Sequence, residues 1–336
     1  MSPTIHDVAR RAGCSIKTVS RVLNQEPHVR PILRDRVASA IAQTGYIPNL
    51  TARRLVQRRP GTLGLIVPPL DGILNPYALA LAFDLANASG YDLLLHIHNN
   101  QPAERDLLSG LVSRQRLEGI VIAAPCETDP FLADLLAGTT IPRVFMDPLD
   151  REKFTPSVAA DDQTGVRDLT THLLDAGHRR IAFLKGPPSL RASHERLAGY
   201  TQALAQRGIA FEPRLAANTD GSFIGGYNAV RIYLSEGSRP TAFVAFNDTT
   251  ALGALFALHE MNVRVPREIS VCGYGDLPVS AQVWPGLTTV RHPAGELMEF
   301  AFRSLIQILA GKTGTLSNAP PPTLVLRGSS GPGPGI

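Results

Sequence analysis

Short apolar runs alternate with helical stretches from Thr62 onward, and this alternation limits the possible folds to an α/β architecture. Segments such as TLGLIVP, EGIVIAA, RIAFLKG and TAFVAF are apolar at almost every position, as strands buried on both faces are. Helical stretches are predicted near residues 77–88, 104–114, 130–136, 165–176, 192–206, 226–235 and 249–261. Buried strands linked by helices form parallel sheets with right-handed crossovers. About 270 residues are generous for one such sheet, so we expect two lobes.

The first sixty residues differ from the rest of the chain because they are strongly basic. They contain 11 of the 33 Lys and Arg but 3 of the 29 Asp and Glu, a net charge of +8. The other 276 residues carry 22 basic and 26 acidic side chains, a net charge of −4. This asymmetry indicates a polyanion as a partner of the N-terminal segment.

Two short helices around a glycine turn are predicted within this basic segment. Thr4 and Asp7 form an N-terminal capping pattern, and Gly13 ends the first helix. Ser15 is a candidate cap for a second helix, on which Val19 and other apolar residues share one face. The pattern is that of a helix-turn-helix.

The segments IHDVARRAGCSIKTVSRVLN and HVRPILRDRVASAIAQTGYIPN resemble the DNA-binding head of the LacI-type transcription regulators, the family of the lactose and galactose repressors. The similarity extends through essentially the whole chain. It implies a small all-α helix-turn-helix domain over residues 1–48, a hinge helix or linker over 49–61, and an effector-binding and dimerisation domain over 62–330. Residues 331–336 are predicted to be a disordered tail. The implied partners are a pseudo-palindromic DNA operator, a small-molecule effector and a second copy of the chain.

The second helix of such a head enters the major groove, which places Ile16, Lys17 and Arg21 where bases are read. Lys and Arg suit guanine O6 and N7, whereas Ile16 offers an apolar contact, for instance to a thymine methyl group. The alternative for Ile16 is packing against the core of the head. Further DNA-binding candidates, which position the protein on phosphates, are Thr4, Ser15, Thr18, Asn24 and His28.

The segment NLTARRLVQRRPG has helix formers and four arginines but too few apolar residues for a core of its own. The resemblance implies a hinge helix that orders on DNA, with Leu55 pressed into the minor groove and Asn49, Arg53 and Arg54 beside it. An apolar wedge flanked by arginines suits minor-groove kinking. A flexible linker with Leu55 packed on the body is the alternative.

For the body, the resemblance implies the type I periplasmic-binding-protein fold, two Rossmann-like α/β lobes with a small-molecule cleft between them. By analogy the N-lobe covers residues 62–160 and 291–320, and the C-lobe covers 161–290 and 321–330. Ligands of open α/β sheets bind outside the carboxyl ends of the strands. Polar residues that follow predicted strands are therefore candidate effector ligands.

The polar candidates are Asp161, Ser193, Arg196, Asn247 and Asp276, and the aromatic candidates for apolar walls are Tyr77, Phe223 and Trp284. The resemblance implies that Asp161, Arg196 and Asn247 hydrogen-bond the effector. Carboxylate, guanidinium and amide groups together match the vicinal hydroxyls of a sugar or related metabolite. Arg196 has a helix-surface charge as its alternative role, and Trp284 a place in a core or interface.

The chain departs from the family at Gly275, where most relatives have an aspartate after the Gly-Tyr or Gly-Phe pair. Asp276 either substitutes for that carboxylate or caps the next turn. The resemblance therefore does not identify the effector. It also leaves open whether the effector releases or promotes DNA binding, because a ligand can favour either arrangement of the lobes.

No metal or cofactor is predicted. Cys14, Cys126 and Cys272 are far apart and odd in number, and they form neither a disulfide framework nor a metal pattern. His96 and His98 share one strand face but lack a third nearby ligand with metal-site spacing, so we expect ordinary surface histidines.

Two other function classes compete with a regulator. A transport receptor shares the body fold, but the sequence shows no apolar signal region and no membrane span, so we expect a cytoplasmic, nucleoid-associated protein. An α/β enzyme is the third class, but the sequence has neither a nucleophile elbow nor a GxGxxG after a strand. We predict a non-enzymatic, effector-controlled transcription factor, and a repressor rather than an activator.

Overall fold

The computed structural model describes residues 3–23, 29–46, 61–69, 76–114, 116–237, 239–312 and 319–333. The chain divides into two compact units, Met1–Pro60 and Gly61–Ile336, which we call the head and the body. Within the described ranges, no helix combines the length and the apolar character that crossing a membrane requires.

The described part of the head consists of helices α1 (Ile5–Ala12), α2 (Ile16–Leu23) and α3 (Pro31–Thr44). Thr4 donates its backbone N–H and its hydroxyl to the Asp7 carboxylate, at 2.9 and 2.7 Å, and stabilises the start of α1. Gly13 ends α1 with a φ of 60°, a left-handed conformation that glycine adopts without strain. The helices enclose one core of buried side chains, namely Val8, Ala9, Ala12, Val19, Val37 and Ala40. This arrangement confirms the predicted helix-turn-helix.

The body alternates strands and helices, as the apolar runs predict. Its strands are β1 (Thr62–Val67), β2 (Asp92–Ile97), β3 (Gly119–Ala123), β4 (Arg143–Met146), β5 (Ser157–Val158), β6 (Ile181–Lys185), β7 (Ala216–Asn218), β8 (Ala242–Ala245), β9 (Ser270–Gly275), β10 (Thr288–Arg291) and β11 (Thr323–Val325). Its helices are α4 (Pro76–Ala88), α5 (Pro102–Ser113), α6 (Pro130–Ala137), α7 (Asp162–Asp175), α8 (Arg191–Gln206), α9 (Phe223–Ser235), α10 (Asp248–Glu260) and α11 (Ala294–Leu309).

One lobe is built on a parallel sheet with the strand order β2-β1-β3-β4-β5. One face of the sheet carries a core shared with α4 and α11, in which Leu65, Ala82 and Phe302 are fully buried. The other face carries a second core beneath α5 and α6, with Leu108 and Leu132 fully buried. Because both faces are covered, the strands are apolar throughout.

The other lobe is built on a sheet with the order β11-β10-β9-β8-β6-β7, in which β11 alone runs antiparallel among the described strands. Neighbouring residues of one strand serve opposite faces: Phe183 lies in the core with α7 and α8, and Leu184 in the core with α9 and α10. The chain passes between the lobes after β5, after β10 and after α11. The carboxyl ends of β3, β4, β8 and β9 border the space between the two sheets.

The predicted disorder of residues 331–336 is wrong for residues 331–333. Gly331 accepts a hydrogen bond from the His178 ring at 3.1 Å, and Gly333 donates its N–H to Ala176 at 2.7 Å. These backbone bonds tie the segment to the loop between α7 and β6. Glycine allows this close approach, because a Cβ on Gly333 would lie 2.6 Å from the backbone carbon of Gly177. Residues 334–336 lie outside the described ranges.

Candidate functional site

A pocket of about 140 Å³ lies between the lobes, where the predicted cleft was expected. Residues from the carboxyl ends of strands in both sheets line it, together with the starts of α8 and α11. Its polar lining is Asp147, Asp162, Arg191, Arg196, Asn247, Tyr274 and His292. Ala78, Ala123, Met146, Leu190, Phe246, Leu277 and Leu297 supply most of the apolar lining.

Asp162 is the centre of a charged network in this pocket. Its Oδ1 accepts the Tyr274 hydroxyl at 2.5 Å and the Arg196 guanidinium at 3.3 Å. Burial raises the pKa of Asp162, but Arg196 and then His292 more than offset it and hold the pKa below its ordinary value. Arg196 also donates to the Phe246 carbonyl at 2.7 Å and lies over the Tyr274 ring at 3.8 Å. The arginine and the carboxylate are therefore fixed in place before any ligand enters.

A second ion pair crosses between the lobes. Arg191 at the start of α8 donates to Asp147 Oδ1 at 2.8 Å and to the Ala160 carbonyl at 3.2 Å, and it also pairs with Glu195. Asp147 follows β4 and adopts a φ of 52°, a left-handed conformation that aspartate tolerates better than most residues. Its Oδ1 additionally accepts the Ala160 N–H at 3.0 Å. The Arg191–Asp147 ion pair therefore joins the two lobes in addition to the chain segments that cross between them.

Of the eight predicted effector residues, Arg196 and Asn247 line the pocket. Asn247 caps α10 through its Oδ1, which accepts the Thr250 N–H at 2.8 Å, while its Nδ2 donates to the Gly221 carbonyl at 3.0 Å. Each polar atom of this side chain makes one hydrogen bond within the fold, and each keeps the capacity for a second one. Asn247 shapes the pocket edge, and Arg196 contributes a buried charge to it.

The structure corrects the placement of Asp161 and Ser193. Asp161 is exposed and caps α7, because its Oδ1 accepts the Thr164 N–H at 3.0 Å, and the next residue, Asp162, faces the pocket instead. Ser193 is buried on α8 outside the pocket lining. Both predictions identified the correct loop or helix, but the neighbouring side chains face the pocket.

Asp276 is also placed away from the pocket. It adopts a φ of 54° and binds two arginines, Arg291 Nε at 2.8 Å and Arg327 Nη2 at 2.6 Å. Gly275 does line the pocket, at a φ of 134°. Asp276 therefore does not replace the carboxylate that relatives carry at the preceding position, and it joins β10 to the segment after β11 instead.

The three predicted aromatic walls lie outside the pocket lining. Trp284 is 95% exposed and Tyr77 is 67% exposed, while Phe223 packs its ring on Phe256 with centroids 5.8 Å apart. Phe246 and Tyr274 supply the aromatic surface in their place.

Five polar residues of the pocket lining were not predicted from the sequence: Asp147, Asp162, Arg191, Tyr274 and His292. The rule that ligands bind beyond strand ends gives a signal for two of them. Asp147 directly follows β4 and His292 directly follows β10.

In the head, the N-terminal turn of α2 carries the predicted base-reading side chains. Ile16 is 40% exposed and Lys17 is exposed, so Ile16 is not buried in the core of the head. Ser15 caps α2, since its Oγ accepts the Thr18 N–H at 3.2 Å. Arg21 lies one turn after Lys17 and is half-buried. Thr4 caps α1, and the remaining DNA-binding candidates lie outside the described residues: Asn24, His28, Asn49, Arg53, Arg54 and Leu55.

The expectation of surface histidines at positions 96 and 98 is wrong. Both side chains are buried, and both imidazoles hydrogen-bond the carboxylate of Glu104 in the first turn of α5. Burial raises the pKa of Glu104, but the hydrogen bonds from His96 and His98 outweigh it, and the pKa lies below its ordinary value. The third group that could bind a metal beside these histidines is the Glu104 carboxylate, six residues after His98 in the sequence.

Two family descriptions match the chain. "Bacterial regulatory proteins, lacI family" matches residues 4–49, and "Periplasmic binding protein-like domain" matches residues 170–330. The HTH-type transcriptional regulator AscG of Escherichia coli (strain K12) is 35% identical over 310 residues, 92% of each chain.

Solved structures agree with these matches. The lac repressor dimer bound to operator and the anti-inducer ONPF is similar with a TM-score of 0.81 and 30% identity, over 98% of this chain and 100% of that one. A complex of the transcriptional regulator CelR with cellobiose is similar with a TM-score of 0.74 and 30% identity, over 97% and 99% of the two chains.

Proposed function

Because the chain belongs to the lacI family of bacterial regulatory proteins, it is a DNA-binding transcriptional regulator, and we propose a separate role for the head and for the body. The head binds a pseudo-palindromic operator as part of a homodimer, and a sugar or related polyhydroxyl metabolite in the cleft controls that binding. The relatives whose structures contain an operator or cellobiose support this proposal. We also propose that the protein acts in the cytoplasm in association with the nucleoid, because its operator DNA would be found there.

The DNA-binding proposal depends on the exposed N-terminal turn of α2. Ile16 and Lys17 project from this turn, and Ser15 holds its first N–H groups so that the helix start is firm. A groove-reading helix uses these same N-terminal positions. The net charge of +8 on the first sixty residues supplies the phosphate attraction, so binding weakens steeply as salt rises.

The effector proposal is carried by one observation: Asp162 is fully buried in the pocket, and its Oδ2 has no hydrogen-bond partner among the described residues. Buried carboxylate oxygens are normally paired. A ligand hydroxyl that reaches such an oxygen through a small side-chain shift satisfies it by donating to it. The Nε–H of Arg196 beside it also lacks a partner among the described residues and could donate to a ligand oxygen in the same way. Phe246 and Tyr274 add an apolar face of the kind that packs on a sugar ring.

The volume of the pocket limits the size of the sugar that it can hold. Its 140 Å³ is well below the roughly 300–1,000 Å³ of pockets for drug-sized ligands. In this arrangement of the lobes the cleft therefore suits a monosaccharide better than a disaccharide.

The test combines a ligand screen with a DNA-binding assay. The untagged protein is screened by thermal shift against monosaccharides, disaccharides and sugar phosphates, and its operator is selected from random duplexes. We expect a monosaccharide to raise the melting temperature, since a ligand at 100 times its Kd stabilises the native state by about 2.7 kcal/mol. The same compound should change operator affinity. A compound that stabilises the protein but leaves operator affinity unchanged contradicts control by the cleft, and products of turnover in mass spectra favour an enzyme instead.

A further inference from the structure

The cluster of His96, His98 and Glu104 lies outside the cleft lining and has no part in the proposed function. His96 is near the end of the edge strand β2, His98 follows that strand, and Glu104 stands in the first turn of α5. Their side chains are 5%, 5% and 10% exposed. One nitrogen or oxygen atom of each lies within 4.8 Å of the other two.

Two buried atoms of this cluster lack a hydrogen-bond partner in the described part of the chain: His98 Nε2 and Glu104 Oε2. Glu104 Oε1 is shared by His96 Nε2 and by His98 Nδ1, the latter at 3.0 Å. A neutral His98 that donates from Nδ1 carries a lone pair on Nε2. In this tautomer the lone pair faces Asp129 Oδ2 at 3.5 Å, and only a proton on Nε2 would turn that approach into a favourable contact.

We propose that this cluster binds a divalent transition-metal ion, and that the ion is Zn²⁺. The ligands are His96 Nε2, His98 Nδ1 and the Glu104 carboxylate, a donor set that zinc favours, with water in the fourth position. The metal takes the place of the hydrogens between the imidazoles and Glu104, and the proton on His96 Nε2 moves to the Nδ1 of the same ring. The His98 proton then sits on Nε2 and is donated to Asp129, which gives the unpartnered nitrogen its partner.

The distances fit this proposal with small movements. Zinc bonds of about 2.0–2.2 Å place the ligand atoms of a tetrahedral site roughly 3.3–3.5 Å apart. One ligand atom of each residue already lies within 4.8 Å of a ligand atom of the other two, so side-chain shifts of about 1 Å complete the site. Such rotations need no rearrangement of β2 or α5.

Asp129 acts as a positioning residue rather than a ligand. Its Oδ1 caps α6 by accepting the Phe131 N–H at 2.8 Å, which leaves Oδ2 for His98. A carboxylate on the outer nitrogen of a metal-bound imidazole fixes the tautomer that presents a lone pair to the metal. An amide at the same place donates to that nitrogen and favours the opposite tautomer, while asparagine still caps the helix.

The experiment titrates the full-length, untagged, chelator-treated protein with Zn²⁺ by calorimetry and with Co²⁺ by visible absorption. We expect one equivalent of each metal per chain, the strong visible bands of four-coordinate Co²⁺, and a higher melting temperature with Zn²⁺. Glu104→Gln and His98→Gln should each weaken Zn²⁺ binding by more than about 100-fold, and Asp129→Asn by about 10–100-fold. The exposed His259 provides the matched control, His259→Gln, which should bind like the parent.

The metal titrations distinguish a specific metal site from adventitious metal binding at the surface. Absence of a one-equivalent Co²⁺ spectrum in the parent protein overturns the proposal, and so does parent-like affinity in Glu104→Gln. If Glu104→Gln or His98→Gln fails to fold, Asp129→Asn becomes the test of the metal site, because this variant keeps the α6 cap and should therefore fold. Unchanged affinity and an unchanged Co²⁺ spectrum in that variant contradict the tautomer argument and the site with it.

Discussion

Asp161 and Asp162 are adjacent, chemically identical and placed differently, which makes them a matched pair for testing the cleft. Asp161→Asn keeps an acceptor for the Thr164 N–H, and asparagine caps helices as well as aspartate does. Asp162→Asn keeps the shape of the side chain but removes a buried charge that holds Arg196 and Tyr274. The two variants therefore separate a role in the fold from a role in the pocket.

The magnitude follows from the hydrogen bonds to Asp162. A hydrogen bond to a charged group contributes about 1.5–3 kcal/mol, so loss of the ligand bond to Oδ2 should weaken sugar binding about 10- to 150-fold. The same change weakens the bond from Arg196, so the free energy of unfolding should fall by about 1.5–3 kcal/mol without ligand. At about 2–4 °C per kcal/mol, the melting temperature should fall by roughly 3–12 °C.

Calorimetry with the sugar that stabilises the parent protein best measures the affinities, well below the melting temperatures of all variants. Thermal unfolding at several pH values provides a second measurement. The pKa of folded Asp162 lies below its ordinary value of 3.8, so its contribution to stability is present above that pH and is lost as the pH falls through the lowered value. The stability difference between the parent and Asp162→Asn should therefore shrink as the pH falls below 3.8.

The reasoning is refuted if Asp162→Asn binds the sugar like the parent. It is refuted equally if Asp161→Asn loses as much affinity as Asp162→Asn, because the cap and the pocket residue then have the same role. A stability difference that grows toward low pH contradicts the direction of the Asp162 pKa.

Three further predictions concern other parts of the chain. Lys17→Ala and Arg21→Ala should each cost about 1–3 kcal/mol on the selected operator and less on random duplex, measured by fluorescence anisotropy; equal losses on both indicate phosphate contacts. Gly275→Asp should lower the free energy of unfolding by about 1–3 kcal/mol, because a φ of 134° strains any residue that has a side chain; parent-like denaturation curves count against this. Leu55→Ala, outside the described residues, should reduce operator affinity and DNA bending in gel-shift assays but not ligand affinity; a fall in the stability of the DNA-free protein points instead to a packed linker.

The fold class was predictable because its signals are local. Apolar runs of strand length and helices with a 3.6-residue period are visible within ten or fifteen residues, and the caps at Thr4 and Ser15 are visible within three or four. The predicted helical stretches of the body agree with α4 to α10 to within three residues at each end. The short strands β7, β10 and β11 were not predicted, because their sequences AAN, TTVR and TLV contain polar residues and lack a continuous apolar run.

The cleft could be located but its residues could not be chosen from the sequence. Asp147, Arg191 and His292 are separated by up to 145 positions and meet because two sheets present their carboxyl ends to each other. The buried pair of histidines has the same explanation: β2 and α5 together form an enclosure that neither element provides alone.

The sequence by itself therefore determined the helix-turn-helix head, the α/β body and the charge that favours DNA. Tertiary structure decided which side chains face the cleft. The physical reason is clearest at Asp161 and Asp162, since Asp161 is the cap outside the helix and bonds a first-turn N–H, whereas Asp162 is the first helical residue. The sequence places both at the start of α7, but the rotation of that helix against the sheet exposes the first carboxylate and buries the second.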